Sequence, residues 1–355
     1  MQAQVLRSFG DPSKFELTEL PTPQIRPGSV LIRVAATSVN QIDLKILEGL
    51  PIGPDLPAVL GADVAGRVEK VGAGVIDFAA GDEVYGCAGG VKGQEGALAE
   101  CMVADARLLA PKPRNLTMHE AAALPLVGIT AWDALERVSL SESDHVLVHG
   151  GVGGVGHVAV QLAKARGSRV ATTVPSNDAA DLARKLGADE TINFLEEVVQ
   201  SYVSRLTAGR GFEVVFDTIG GNNLPNSFTA AAYEGRVATT NARSTQDLGP
   251  LHAKALSFYA VFMLLPMLRG LGRDRHGRIL RSLAHLVEAG KLRPLVDDHE
   301  FTLATAADAY RWLASGKAQG KVVIDIANQA GQTTTSRIQF GKHVAPTAIT
   351  TTSTD

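Results

Sequence analysis

The chain has little cysteine, few aromatics and almost no net charge. Only Cys87 and Cys101 occur among 355 residues, and they are not in C-x-x-C spacing. Neither a disulfide framework nor a four-cysteine structural zinc lobe is expected. Aromatic residues make up 5% and the formal charge is -3 at pH 7, so there is no electrostatic case for nucleic acid or an anionic membrane surface. No apolar stretch approaches the roughly 18 residues of a membrane span, and the opening MQAQVLRSFGDP carries no apolar leader. These absences point to a soluble, cytoplasmic protein with no nucleic-acid and no membrane partner. What the chain does hold is glycine, 36 residues of it, with 45% hydrophobic and 20% charged content. That is the make-up of a turn-rich α/β protein, and the length suggests about two domains.

One stretch organises the rest. Residues 145–167, HVLVHGGVGGVGHVAVQLAKARG, read as a buried strand, a glycine turn and a helix in succession. Val146, Leu147 and Val148 have the composition of a strand covered on both faces. Gly151, Gly153 and Gly156 satisfy G-x-G-x-x-G, which permits the tight turn, lets backbone approach a pyrophosphate and lets the helix pack near the strand. Gly154 and Val155 lie inside the same turn. Val155, Val158, Ala159, Leu162 and Ala163 follow at helical spacing, so a helix N-terminus that favours an anion sits at the glycines. The motif alone also fits a plain glycine turn; its context favours a dinucleotide. Strand-like runs at 169–174 and 213–217 alternate with a helical run at 178–186, which implies a parallel doubly wound sheet.

An NAD-preferring fold usually places an acid about 20 residues past the glycines, on the ribose 2′-OH. Here the second strand ends in Thr172, Thr173, Val174, Pro175 and Ser176, with no acid before Asp178. Nothing there repels a 2′-phosphate and Ser176 is able to donate to one, so NADPH is favoured over NADH. Arg169 and Arg184 read either as cationic partners of that phosphate or as solvated surface arginines.

The first 123 residues differ. Short extended runs alternate with Pro21, Pro23, Pro27, Pro51, Pro54 and Pro57, the pattern of an irregular antiparallel β unit. Six motifs then occur in order: GADVAGRVEKVG (61–72), GITAWDAL (128–135), VHGGVGGVG (148–156), KLGAD (185–189), FDTIGG (216–221) and GKVVI (320–324). Together they resemble the medium-chain dehydrogenase/reductase superfamily, in its zinc-independent quinone oxidoreductase branch, over about residues 1–327. The resemblance implies a Rossmann sheet joined to a GroES-like irregular β-barrel. It implies a barrel-type catalytic domain at 1–125, a dinucleotide-binding domain at 126–265 and a return to the first domain at 266–327. Residues 328–355, rich in Thr, Gln and Ser, read as a flexible tail.

The zinc-dependent alcohol dehydrogenases, from which the chain departs, hold catalytic zinc through a Cys and a Gly-His-Glu motif. Asn40 stands where the resemblance expects that Cys, and Ala62 where it expects the His. Zinc needs such N and S ligands, so a metal-free hydride transfer from the nicotinamide to a quinone or an activated alkene is expected, the cofactor carrying the chemistry; the alternatives are a 2-enoyl- or haloacrylate-type reductase and a cofactor-binding relative with negligible turnover. The resemblance also implies site residues. Asn40 resembles a substrate-cleft residue, with a turn Asn as the alternative; Thr130 resembles a nicotinamide-side residue, with a helix-start Thr as the alternative. Asn241 and Lys321 resemble residues at the cofactor, against a loop Asn and a surface Lys. Asp43 reads as either a cleft group or a helix cap for the segment 44–47. Lys45 replaces a Tyr common in such reductases, and Phe194 replaces a Tyr that some relatives aim at the 2′-phosphate. His149 is expected beneath the turn, and His157 has no evident partner. The apolar residues 254–268 read as a sheet edge pairing with a second subunit or as a cleft wall, giving an expected homodimer. The basic loop 269–276 is expected to border the cofactor or the cleft mouth.

Overall fold

A computed structural model describes residues 1–326. The first 111 residues supply eight strands: β1 (Gln2–Leu6), β2 (Phe15–Glu19), β3 (Ser29–Val39), β4 (Ala58–Val59), β5 (Asp63–Val71), β6 (Glu83–Cys87), β7 (Cys101–Asp105) and β8 (Leu109–Pro111). All pair antiparallel. Register shifts between β3 and β5 bend the pair, as bulges do, within a barrel-like lobe whose strands divide into two sheets, β2-β1-β4 and the one holding β3, β5, β6, β7 and β8. Gly66 sits at this bend because a Cβ there would lie 2.2 Å from the Arg33 carbonyl oxygen.

The second lobe is built on six parallel strands: β9 (His145–His149), β10 (Arg169–Val174), β11 (Glu190–Asn193), β12 (Phe212–Asp217), β13 (Ala231–Thr239) and β14 (Ser257–Ala260). Their spatial order is β11-β10-β9-β12-β13-β14, the doubly wound order that reverses beside the first strand. Both faces are covered. Val146 and Val148 enter one core, which continues into the barrel lobe, while Leu147 enters another on the opposite face. That is why β9 is apolar without alternation.

The helix Pro125–Arg137 joins the lobes. It starts with Pro at its first position and buries most of its circumference, as a helix enclosed on all sides must. Gly128 lets it touch the helix Asp274–Glu288, since a Cβ would fall 2.6 Å from Leu283 Cδ1. That second helix begins at Asp274, so the expected basic loop at 269–276 is shorter than its composition suggests.

The chain then adds β15 (Phe301–Thr302) and β16 (Val322–Asp325) to the barrel sheet, β16 running antiparallel to β3. One edge of β3 therefore serves two partners, β7 along residues 29–33 and β16 along 36–39, which accounts for its 11 residues. No helix among the described residues is long and apolar enough to cross a membrane. The tail expected at 328–355 lies outside the described residues.

Candidate active site

The crevice lies where strand order reverses, beyond the C-terminal ends of β9 and β12, the place where open α/β sheets take ligands. From β9 the chain enters the glycine turn and then the helix Gly156–Ala165. Two of its glycines are demanded by the protein itself. A Cβ on Gly151 would lie 2.0 Å from Thr172 Oγ1, and one on Gly156 2.0 Å from the Gly150 oxygen. Gly154 is different: its Cβ would meet nothing closer than Lys321 Cδ and Val127 Cγ1, both at 3.6 Å. Gly153, Gly154 and Val155 are half-buried, so a side chain at Gly154 would occupy the crevice rather than the core. A cradle left open in front of a helix N-terminus fits a dinucleotide pyrophosphate.

Hydrogen bonds hold the turn rigid. Gly150 N–H donates to Thr173 Oγ1 at 2.9 Å, and Thr218 Oγ1 donates to the His149 oxygen at 2.6 Å across the β9–β12 crevice. Asp217, fully buried, accepts from the amides of Ile219 and Gly220 at 2.9 and 2.8 Å and fixes the second crevice wall. His149 does lie buried beneath the turn, where burial pushes its pKa down. His157 has the partner that its sequence position concealed: Nδ1 lies 3.0 Å from the Gly153 oxygen, and burial lowers its pKa to about 4. Both imidazoles are structural and neutral.

A buried polar cluster faces this turn from the barrel lobe. Lys321 is 2% exposed, far from the surface position allowed by its sequence context. Its Nζ donates to the Val39 oxygen at 3.0 Å and to Asn40 Oδ1, and lies 3.5 Å from Asp63 Oδ2. Asn40 Nδ2 donates to the same Asp63 oxygen at 2.9 Å. The donor-only ammonium and the acceptor-only carboxylate thus orient the Asn40 amide without ambiguity. Asp63 also accepts from Ser38 Oγ at 2.7 Å and from Leu126 N at 2.8 Å, the latter at the start of the joining helix. Burial lowers the Lys321 pKa, opposed by the charges of Asp63 and Asp43.

Asp43 belongs to the same cluster. Its Oδ2 accepts from Asn40 N at 2.8 Å, and Asn40 rather than Asp43 is the N-cap of the helix Gln41–Leu47. Asp43 Oδ1 has no partner. Burial, reinforced by Asp63, pushes this carboxyl up to about 7.

The other expected residues are placed as follows. Thr130 is not at a helix start; it lies inside Pro125–Arg137, buried, and donates to the Leu126 oxygen at 2.7 Å. Asn241 follows β13, and its Nδ2 donates to the Ile219 oxygen at 3.2 Å on the crevice wall. Ser176 caps the helix Asn177–Lys185 through a 3.3 Å bond from Ala179 N and is exposed. Arg169 pairs with Glu190, and Arg184 with Asp181 at 2.8 Å, so both guanidiniums are engaged away from Ser176. Phe194 is 53% exposed beyond β11. Asp63 was not anticipated as a site residue, although an acid between Ala62 and Val64 in an apolar strand is the kind of buried charge that requires a partner.

Two domain families match the chain, an alcohol dehydrogenase GroES-like domain over residues 26–114 and a zinc-binding dehydrogenase domain over residues 186–324. The NADPH-dependent alkenal/one oxidoreductase of Arabidopsis thaliana chloroplasts is 33% identical, over 91% of this chain and 79% of that protein. The chain belongs to the medium-chain dehydrogenase/reductase superfamily. Within the superfamily it falls in the quinone oxidoreductase branch and is an oxidoreductase. An alcohol dehydrogenase superfamily protein from Novosphingobium aromaticivorans superposes with a TM-score of 0.88 at 40% identity, covering 92% of this chain and all 100% of that one. The Escherichia coli quinone oxidoreductase solved with NADPH gives 0.83 at 26% identity over 92% and 100%.

Zinc does not fit the residues present in this medium-chain reductase. Among the described residues no three His, Cys, Asp or Glu side chains gather as a metal centre requires. Asn40 and Asp63, the polar groups closest to such a role, already surround the Lys321 ammonium. A second cation beside it would be repelled at close range.

Proposed function

We propose that this protein is an NADPH-dependent reductase that delivers hydride, without catalytic zinc, to quinones or activated alkenes. The observation that carries the proposal is the meeting of the open glycine turn with the Lys321–Asn40–Asp63 cluster at Gly154. The reduced nicotinamide supplies the hydride. The protein's share is binding and orientation. The Gly151–Gly156 turn and its helix N-terminus hold the pyrophosphate, while Lys321 stiffens the facing wall and orients Asn40. Asn241 borders the same crevice. Thr130 and Asn40 line the acceptor side, and Ser176, exposed at the end of β10, meets the 2′-phosphate.

The donor count supports acceptors that are already electrophilic. Asn40 Nδ2 is committed to Asp63 and the Thr130 hydroxyl to Leu126, which leaves few side-chain donors for charge developing on oxygen. Quinones and enones need little such help; unactivated ketones need more. The activity and cofactor for which the Arabidopsis relative is named support the same class and NADPH. We further propose a cytoplasmic homodimer. Its two cysteines are free, as in a reducing compartment, and among the described residues β14 ends the parallel sheet with one edge unpaired, a natural template for a second copy.

Steady-state oxidation of NADPH with 1,4-benzoquinone and with a short 2-alkenal tests the proposal. Turnover with at least one acceptor, unchanged by a chelator, is expected. Tight NADPH binding without oxidation by either would make the chain a cofactor-binding relative. Activity abolished by chelation and restored by zinc would reject the metal-free route.

A further inference from the structure

Asp297 lies outside the glycine turn and outside the Lys321 cluster, yet it is a buried acid, 8% exposed. Buried charge needs partners, and its carboxylate gathers N–H groups from both sides. Oδ1 accepts from His299 N at 3.1 Å and from Trp312 Nε1 at 3.0 Å, and lies 2.7 Å from His299 Nδ1. Oδ2 accepts from Gln319 N at 2.9 Å. Burial pushes the Asp297 pKa up, but the amides of Gln319 and His299 outweigh it and hold the carboxyl below its ordinary value, so the group is ionised at neutral pH.

The bond to Gln319 matters because of the two residues that follow it. Residues 315–321 form a strap that crosses from one lobe to the other. Gly320 N donates to the Val152 oxygen at 3.1 Å, inside the glycine turn. The next residue, Lys321, sends Nζ to the Val39 oxygen and to Asn40 Oδ1 in the barrel lobe. The Gly320 oxygen and Lys321 Cδ are 3.8 and 3.6 Å from where a Cβ on Gly154 would stand. The strap is therefore the lip that faces the glycine turn across the open cradle.

Behind the strap runs the segment 293–297, pressed close to it. A Cβ on Gly320 would lie 2.2 Å from the Leu295 oxygen, Lys321 N donates to that oxygen at 2.9 Å, and Asp297 N donates to the Lys321 oxygen at 2.9 Å. The far end of the segment is moored to the helix Gly156–Ala165. There the Gln161 side chain donates Nε2 to the Arg293 oxygen at 2.9 Å and accepts from Arg293 N at 3.0 Å. Asp297 thus ties an exposed stretch of the strap, at Gln319, to backbone that the glycine-turn helix itself holds in place.

We propose that Asp297 is a positioning residue for the dinucleotide: by holding Gln319 N it keeps Gly320 on the glycine turn and Lys321 against Asn40, and so sets the width of the cradle. It acts through the strap and not by contact with the cofactor. The inference rests on the reductase reading for the place of the cofactor. Linkage is reciprocal, so a strap whose release weakens NADPH binding is itself held more firmly once NADPH is bound, by the same factor.

Asp297→Asn in the full chain tests it. The amide has the same shape but only one acceptor oxygen, and it turns an NH2 toward donors on one of its two sides. Loss of a charge-assisted bond is expected to weaken NADPH binding about tenfold by calorimetric titration. KM for NADPH should rise by about the same factor while KM for 1,4-benzoquinone stays within about twofold. In the parent, amide exchange over residues 319–321 should slow about tenfold when NADPH saturates, as reciprocity requires; this measurement needs no substitution. Unchanged NADPH affinity in folded Asp297→Asn, with only the melting temperature lowered, overturns the proposal and leaves Asp297 a role in the fold alone. Exchange over 319–321 indifferent to NADPH overturns it too, as does a rise in KM for the quinone without one for NADPH. NADPH binding that weakens as described, in a protein that oxidises NADPH with no acceptor, sinks the reductase reading and leaves Asp297 its role.

Discussion

Glycines 151, 154 and 156 share one turn but answer to different constraints. Gly151 and Gly156 have no room for a Cβ: one at Gly151 collides with the Thr172 side chain and one at Gly156 with the Gly150 carbonyl. At Gly154 the protein has room, so under the proposed function a side chain there competes with the cofactor alone. Gly154→Val is therefore expected to leave the melting temperature within a few degrees of the parent while weakening NADPH binding about tenfold or more, by calorimetry. Gly156→Val should lower the melting temperature sharply. Equal thermal losses in the two variants would remove the distinction.

Asp43 makes a second prediction at this scale. A carboxyl raised from 3.8 to about 7 on folding retains a proton in the native state that the unfolded chain has released. Stability contributed by that proton is present at low pH and declines as pH rises from about 4 to about 7, where the cost of the buried charge is complete. Asp43→Asn keeps an acceptor for Asn40 N and cannot ionise. Its urea midpoint relative to the parent should climb between pH 5 and pH 8; a constant difference across that range would rule out the raised carboxyl.

At the scale of elements, the parallel strands were legible because burial on both faces leaves no alternation to misread. Residues 145–149, 169–174 and 213–217 are found as β9, β10 and most of β12. The glycine turn was legible too, since its spacing is local. Boundaries were less so. The helix Asp274–Glu288 begins inside the basic loop expected at 269–276, because the acid in its first turn is followed by arginines and a glycine that mimic a loop. The polar cluster was hardly legible at all. Lys321 and Asn40 are 281 residues apart, and nothing local to either shows that they converge on Asp63. The resemblance brought Asn40 and Lys321 forward; burial explains why they matter to each other.

For the whole molecule, Lys321 and Asp63 are a buried charge pair within the barrel lobe, and Asp63 also holds the start of the joining helix through Leu126 N. Removing one partner strands the other in a dry site, at about 3–5 kcal/mol. Lys321→Met should cost that much in chemical denaturation and reduce kcat/KM. The double variant Lys321→Met, Asp63→Asn should recover much of the stability, since both charges are gone, yet not the activity, since Asn40 loses its orienting partners. Recovery of both together would reduce the pair to a fold-holding role.

The double partnership of β3 has a temporal consequence. Half of one edge of this strand waits for β16, which the ribosome makes almost 300 residues after β3 begins. Until then the N-terminal lobe presents an unfilled slot, bare backbone ready to take the wrong strand. The nucleotide lobe, contiguous in the chain, is free to assemble first, and the final segment then zips the earlier one shut. Completion of the lobe made first therefore waits on a strand made late, and chains cut short before β16 are the ones that chaperones should be found holding.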